Sequence, residues 1–212
     1  MRRALAIAGL ALTVLGCPSE APKQAGETSG KKDALDSIKE RGTLVIALNA
    51  GYPPFEVMGD DGKPVGFDVD FAGEVAKDLG VKLEIKNVKW DGIIPVLLTG
   101  KSDAIFSGMS VTEERKDAVL FSEPYFNVGQ VVIKRKGDDR IKSHTDLNDP
   151  TFTIAVEQST TGEQACRKSI PKATLLRFEK VDQACMALIQ KKADAVVFDN
   201  AFLMKYVKER EK

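Results

Sequence analysis

Cysteine is scarce, at three in 212 residues, histidine and tryptophan occur once each, and neither sign of charge is in excess. Lys+Arg and Asp+Glu both number 31, for a formal net charge of +0. That balance offers no basic field to a nucleic acid and no acidic tail, which excludes a nucleic-acid partner. No cluster at metal-ligand spacing, no P-loop and no dinucleotide glycine pattern occurs, so no metal, no cofactor and no catalytic set is expected. The apolar run at the N-terminus, Ala4 to Leu15, is shorter than the roughly 20 residues a membrane-spanning helix needs. What is present, 43% hydrophobic and 29% charged residues, suits a folded globular chain of one or two domains.

Arg2 and Arg3 precede that run and Val14-Leu15-Gly16-Cys17 closes it, the order of an export signal. The tetrapeptide resembles the cleavage box of bacterial lipoprotein precursors. This implies a signal peptide over residues 1–17, with Cys17 lipidated and holding the protein to a membrane on its extracytoplasmic side. Residues 18–33, rich in Pro, Ser, Thr, Gly, Lys and Glu, read as a flexible tether.

Strands and helices then alternate, the order of an α/β protein. Strands are expected at Leu44–Ala47, Val81–Ile85 and Asp103–Phe106, with helices at Asp68–Leu79 and Asp91–Leu98. The order recurs with strands at Thr151–Val156, Ala173–Phe178 and Asp194–Phe198, and helices at Thr161–Lys168 and Val181–Gln190. Even the joint before the third strand repeats, Lys101-Ser102-Asp103-Ala104 against Lys192-Ala193-Asp194-Ala195. The pattern predicts two lobes of related topology: residues 34–123, then a crossing strand at 124–135, then residues 136–212.

Ligands of open α/β sheets bind beyond the carboxyl ends of the strands. There the first lobe offers Asn49, Tyr52, Trp90, Ser107, Gly108, Ser110 and Arg115, and the second Glu157, Gln158, Ser159, Thr160, Thr161 and Asp199. These types suit a zwitterion. A guanidinium grips a carboxylate through parallel hydrogen bonds, a carboxylate takes an ammonium, and aromatic rings cover a side chain. Taken singly, Arg115 in Glu-Glu-Arg-Lys reads equally as a solvated helix charge, and Trp90 as core.

Several stretches shift that balance. Gly66-Phe67-Asp68-Val69-Asp70-Phe71 resembles the signature of the polar amino-acid binding proteins of ABC importers, the bacterial solute-binding proteins of family 3. Tyr52-Pro53-Pro54-Phe55, Trp90-Asp91-Gly92-Ile93-Ile94-Pro95, Ser110 to Arg115, Phe121-Ser122-Glu123-Pro124-Tyr125, Ser159-Thr160-Thr161-Gly162 and Phe198-Asp199-Asn200 resemble its other motifs, in the same order. The resemblance runs from about Leu35 to Lys212 and implies an α/β, two-lobed periplasmic-binding-protein fold of type II that closes on a free polar or basic amino acid. It also implies delivery of that amino acid to an ABC-importer permease, with no enzymatic activity.

By that resemblance Arg115, Ser110 and Thr161 hold the ligand carboxylate. Asp199 and the backbone at Gly108 hold its ammonium. Tyr52 and Trp90 sandwich the side chain, and Asn49 and Glu157 reach its far end. Asn49 stands where relatives that bind basic amino acids or glutamine often carry Asp, so Glu157 is left as the charge for a cationic group. The family returns through a second crossing strand and ends in helices. This chain stops after the helix begun near Ala201, so the C-terminal part of lobe 1 is expected to be missing.

Cys166 and Cys185 are expected on helices at opposite sheet faces, too far apart to bridge, and His144 in a solvated loop. Two other readings share the fold. One is a secreted cyclohexadienyl dehydratase, acting on prephenate or arogenate with Glu163 as general acid; the other is a ligand-sensing domain.

Overall fold

A computed structural model describes residues 33–210. The signal segment, Cys17 and all of the tether but Asp33 lie outside them. Helix α1 (Ala34–Arg41) starts where the Asp33 side chain accepts the Leu35 N–H and stops at Gly42, with φ 69°. Then come β1 (Thr43–Leu48), a small hairpin of β2 (Val57–Met58) and β3 (Pro64–Val65), α2 (Phe67–Asp78) and β4 (Lys82–Asn87). A 3-10 turn over Trp90–Gly92 leads into α3 (Ile93–Leu98), β5 (Ala104–Ile105) and the short α4 (Glu113–Lys116). The second half holds β6 (Gln130–Lys134), β7 (Thr153–Glu157), α5 (Thr161–Ser169), β8 (Thr174–Phe178), α6 (Val181–Ile189), β9 (Ala195–Asp199) and α7 (Asn200–Arg210).

The first sheet runs β4-β1-β5, all parallel. The second runs β6-β9-β7-β8, in which β8-β7-β9 are parallel and repeat the first sheet's order. The repeated joint has one job in both lobes. Asp103 Oδ2 accepts the Val45 N–H at 2.8 Å, and Asp194 Oδ2 accepts the Thr153 N–H at 3.0 Å. Each aspartate thus satisfies the amide of its lobe's central strand just before pairing with the third strand begins, at Ile46 and Ile154.

One apolar core backs the first sheet through Ile46, Leu48, Ala72 and Ala76. Two back the second, with Cys166 in one and Cys185 in the other. Both thiols are buried and free, as right-handed crossovers require. Burial pushes each up to about 12, so both are inert.

Three local expectations need correction. The helix expected from Asp91 opens as a 3-10 turn and becomes α-helical only at Ile93. The third strand contracts to Ala104–Ile105, in register with Ile46 and Ala47, while the flanking Asp103 and Phe106 amides donate to the Val45 and Ala47 carbonyls. The crossing strand expected over 124–135 is an irregular link followed by β6, an edge strand antiparallel to β9 in the second sheet. Pro124 has no N–H to give a ladder, and Gly129 lacks a side chain to pack.

Candidate functional site

All nine residues that the resemblance assigns to the ligand line one cavity of about 270 Å³ between the carboxyl ends of the two sheets, as do Ser107 and Thr160; the other strand-end candidates, Gln158 and Ser159, do not. Pockets for drug-sized ligands span about 300–1,000 Å³, so this volume suits a metabolite of amino-acid size.

Arg115 sits on α4, whose N-cap Thr112 accepts the Arg115 N–H. The residue is only 7% exposed, so it is no solvated helix charge. It donates through Nη1 to the Ser110 carbonyl at 2.8 Å and through Nη2 to the Ser159 carbonyl, across the cleft, at 3.3 Å. Trp90 lies 5.2 Å beneath it, a cation-π contact, and its indole N–H donates to the same Ser159 carbonyl at 3.0 Å. Burial lowers the Arg115 pKa, opposed by Glu114 and Asp199, yet a guanidinium stays charged.

Asp199, at the end of β9, faces it from the second lobe. Its Oδ2 accepts the Tyr52 hydroxyl at 2.8 Å, and its Oδ1 accepts a short bond from Gln130 Nε2. Burial raises its pKa, against those two donors and Arg115. Tyr52 reaches Asp199 across the cleft and packs on Phe55, Phe198 and Phe202. Behind it, Gly108 has φ +48°, and a Cβ there would stand 2.8 Å from two Tyr52 ring carbons, so only glycine fits.

Glu157 ends β7 buried, and burial raises its carboxyl to about 8, helped by Asp182 and Asp199 and opposed by the Val181 N–H. Asn49 donates its Nδ2 to the Val88 carbonyl at 2.6 Å, which turns Oδ1 into the group left for other partners. Thr161 opens α5 and accepts from Gln130 Nε2 at 3.1 Å. Its neighbour Thr160 caps α5 by accepting the Glu163 N–H and donates to the Glu157 carbonyl at 2.8 Å.

Sequence reasoning missed Glu56, Gln130 and the true place of Asp68. Glu56 is 1% exposed and lines the cavity; its Oε1 accepts from Ser107 Oγ at 2.8 Å. Asp68, read as an acidic residue at a helix N-terminus, is 0% exposed and accepts from the Gly108 N–H and the Tyr125 hydroxyl. A carboxylate directly after the apolar Tyr-Pro-Pro-Phe run was the available signal for Glu56. Gln130 at the start of an apolar strand carried none.

Glu163 does not line the cavity. Its carboxylate accepts the Ser159 N–H at 2.7 Å and pairs with Arg167 and Arg177. Burial alone would raise it, but those partners prevail and hold it below its ordinary value. No group of three or more His, Cys, Asp or Glu able to hold a metal occurs among the described residues, and no described helix is long and apolar enough to cross a membrane.

A repeated parallel α/β unit with an ion-lined cleft defines a two-lobed solute-binding protein of type II. The family model for bacterial extracellular solute-binding proteins, family 3, matches residues 44–205, and the chain belongs to that family. It is 33% identical to an L-cystine-binding protein of Escherichia coli over 82% of this chain, spanning 65% of that protein. It is 37% identical to a glutamine-binding protein of Geobacillus stearothermophilus, over 96% of this chain and 81% of the relative. Further relatives are named as an ABC transporter glutamine-binding protein, an L-arginine-binding protein and a "probable histidine-binding protein". Among solved structures, an ancestral amino acid-binding protein described as a precursor of cyclohexadienyl dehydratase superposes with a TM-score of 0.78. It is 44% identical, over 82% of this chain and 77% of that one.

Proposed function

We propose that this protein binds a free polar or basic amino acid outside the cytoplasm and presents it to an ABC importer, tethered to the membrane by a lipid on Cys17. One observation carries the reading: a buried guanidinium, Arg115, and a buried carboxylate, Asp199, face one small cavity from opposite lobes. That pairing matches the carboxylate and ammonium every free amino acid carries, and few other metabolites. Arg115, Ser110 and Thr161 take the carboxylate; Asp199 and the Gly108 backbone take the ammonium. Tyr52 and Trp90 flank the side chain, with Asn49 and Glu157 at its end. The names of the relatives support a polar or cationic side chain, and Glu157 supplies the charge for the latter.

The dehydratase reading draws on the ancestral neighbour's description. It casts Glu163 as the general acid, whereas Glu163 lies outside the cavity and points its charge at Ser159, Arg167 and Arg177. Calorimetry against the twenty amino acids, with prephenate and arogenate added, tests both readings. One amino acid binding at 1:1 without turnover is expected. Binding of none, or turnover of prephenate, overturns the proposal.

A further inference from the structure

Beneath the cavity two acidic side chains meet with no cation between them. Asp68 Oδ2 accepts the Gly108 N–H at 2.7 Å, and its Oδ1 accepts the Tyr125 hydroxyl at 2.9 Å. Glu56, from the turn after β1, reaches the same Gly108, its Oε1 4.0 Å from where a Gly108 Cβ would stand, and lies near enough for the Asp68 charge to raise its carboxyl. Its Oε1 is occupied by Ser107 Oγ, which itself accepts the Asn49 N–H at 2.9 Å. Glu56 Oε2 is buried and receives no hydrogen bond from any described residue. Two ionised carboxylates in contact, out of water and without a counter-ion, cost more than the site can offset; a shared proton removes one charge and gives Oε2 a bond to make.

We propose that Glu56 is a positioning residue of the ligand site: as a neutral carboxylic acid it donates a hydrogen bond to Asp68, and the pair fixes the Gly108 backbone that meets the ligand ammonium. The inference rests on the amino-acid reading above for its last clause alone. Every bond in the chain then has a donor and an acceptor: Asn49 N–H to Ser107, Ser107 hydroxyl to Glu56, Glu56 proton to Asp68, and Gly108 N–H to Asp68. The chain joins the ends of β1 and β5, the N-terminus of α2 and, through Tyr125, the link between the lobes. A charge on Glu56 would face Asp68 from α2, Glu157 from β7, and the phenols of Tyr52 and Tyr125, with no cation among them. Burial, then Asp68, accordingly raises its carboxyl to about 10.

The test begins on ligand-free protein. Infrared spectra are taken at a pH between the values of about 8 for Glu157 and about 10 for Glu56, so that Glu157 is ionised. Wild type should show the C=O stretch of a buried carboxylic acid, shifted in D2O. Glu56→Gln should lose it. No band, or a band that survives in Glu56→Gln, overturns the proposal even where no amino acid binds. On the amino acid found by calorimetry, Glu56→Ala should lose affinity by about tenfold or more, the effect of one orphaned buried acceptor. Glu56→Gln, which keeps a donor and an acceptor, should recover most of it and should lose the wild-type drop in affinity as pH passes 10. The ligand's own ammonium titrates equally in both. Equal binding by Glu56→Ala and wild type, or no recovery in Glu56→Gln, overturns the positioning role.

Discussion

At the scale of single residues, the cavity separates groups that hold a ligand from groups that titrate with it. Arg115 already spends two N–H donors on the carbonyls of Ser110 and Ser159, which lock its plane and leave the rest of the fork for a carboxylate. Arg115→Ala should therefore weaken amino-acid binding by on the order of 1.5–3 kcal/mol, about 10- to 150-fold, in calorimetry. Arg115→Lys should not restore it, because an ammonium can neither fork nor stack flat on Trp90. Glu157 answers pH instead. Its folded value of about 8 exceeds the ordinary 4.5, so the ligand-free protein holds an extra proton between those limits and loses stability as pH rises through them. A cationic ligand group favours the ionised form and expels that proton. Affinity for arginine should thus climb with pH until about 8 and then level, while affinity for glutamine should not. Calorimetry in buffers of different ionisation enthalpy reads the proton released, and Glu157→Gln should abolish it. Glu157 was legible because it stands at a strand end, where chain order predicts a ligand, and Arg115, on α4, because the motif Ser110 to Arg115 carried it. The Glu56–Asp68 pair was not, because a turn and a helix distant in sequence must meet before their acidity becomes shared.

At the scale of elements, helix termini and turns aim these groups. Gly66 precedes α2 with φ +130°, and a Cβ there would lie 2.4 Å from the Phe55 carbonyl oxygen. The close approach lets the Phe67 and Asp68 amides donate to the Pro54 and Phe55 carbonyls, which pins α2 to the turn bearing Tyr52 and Glu56. Gly66→Ala should cost on the order of 1–3 kcal/mol in thermal or urea unfolding and should weaken ligand binding by displacing Asp68. An equal melting temperature would show that the turn yields without strain. The order of the main strands and helices was readable because hydrophobic periods of 2 and 3.6 survive burial on these sheets, while α1, the β2–β3 hairpin and the short α4 went unread. Readings failed where pairing partners decide the outcome. Asp103 to Phe106 has strand composition, and its end amides donate to the Val45 and Ala47 carbonyls, but only Ala104 and Ile105 hold paired register, and the stretch from Phe121 is apolar yet carries Pro124 where a ladder would need an N–H. The duplicated Lys-x-Asp-Ala joint was visible as sequence, while its cause, an aspartate closing the free end of each central strand, needed the register.

At the scale of the molecule, the lobes meet through two sets of contacts of different worth. At the rim Lys89 pairs with Glu179 at 2.7 Å, Gln158 with Asp91 and Gln164 with Glu114, all solvent-exposed and therefore weak. Deeper in, Tyr52 reaches Asp199, and Trp90 and Arg115 share the Ser159 carbonyl. A ligand that bridges Arg115 and Asp199 adds differential affinity for this closed arrangement, which is all that a shift in population requires. Trp90 is the sole tryptophan of the chain, so its emission reports on the cleft without a label. In the closed form its indole N–H is bonded and a guanidinium covers its face; in an open form both contacts are lost to water. Titration with the bound amino acid should give a saturable 1:1 change in Trp90 emission, with a matching fall in the radius of gyration by scattering. Arg115→Ala should lose both signals at concentrations that saturate wild type. Lys89→Ala should keep them, since the pair it removes is at the rim and screened. A ligand that binds in calorimetry yet leaves emission and radius unchanged would mean that it enters a cleft already closed, and that Tyr52, Trp90 and Ser159 hold the lobes together without it.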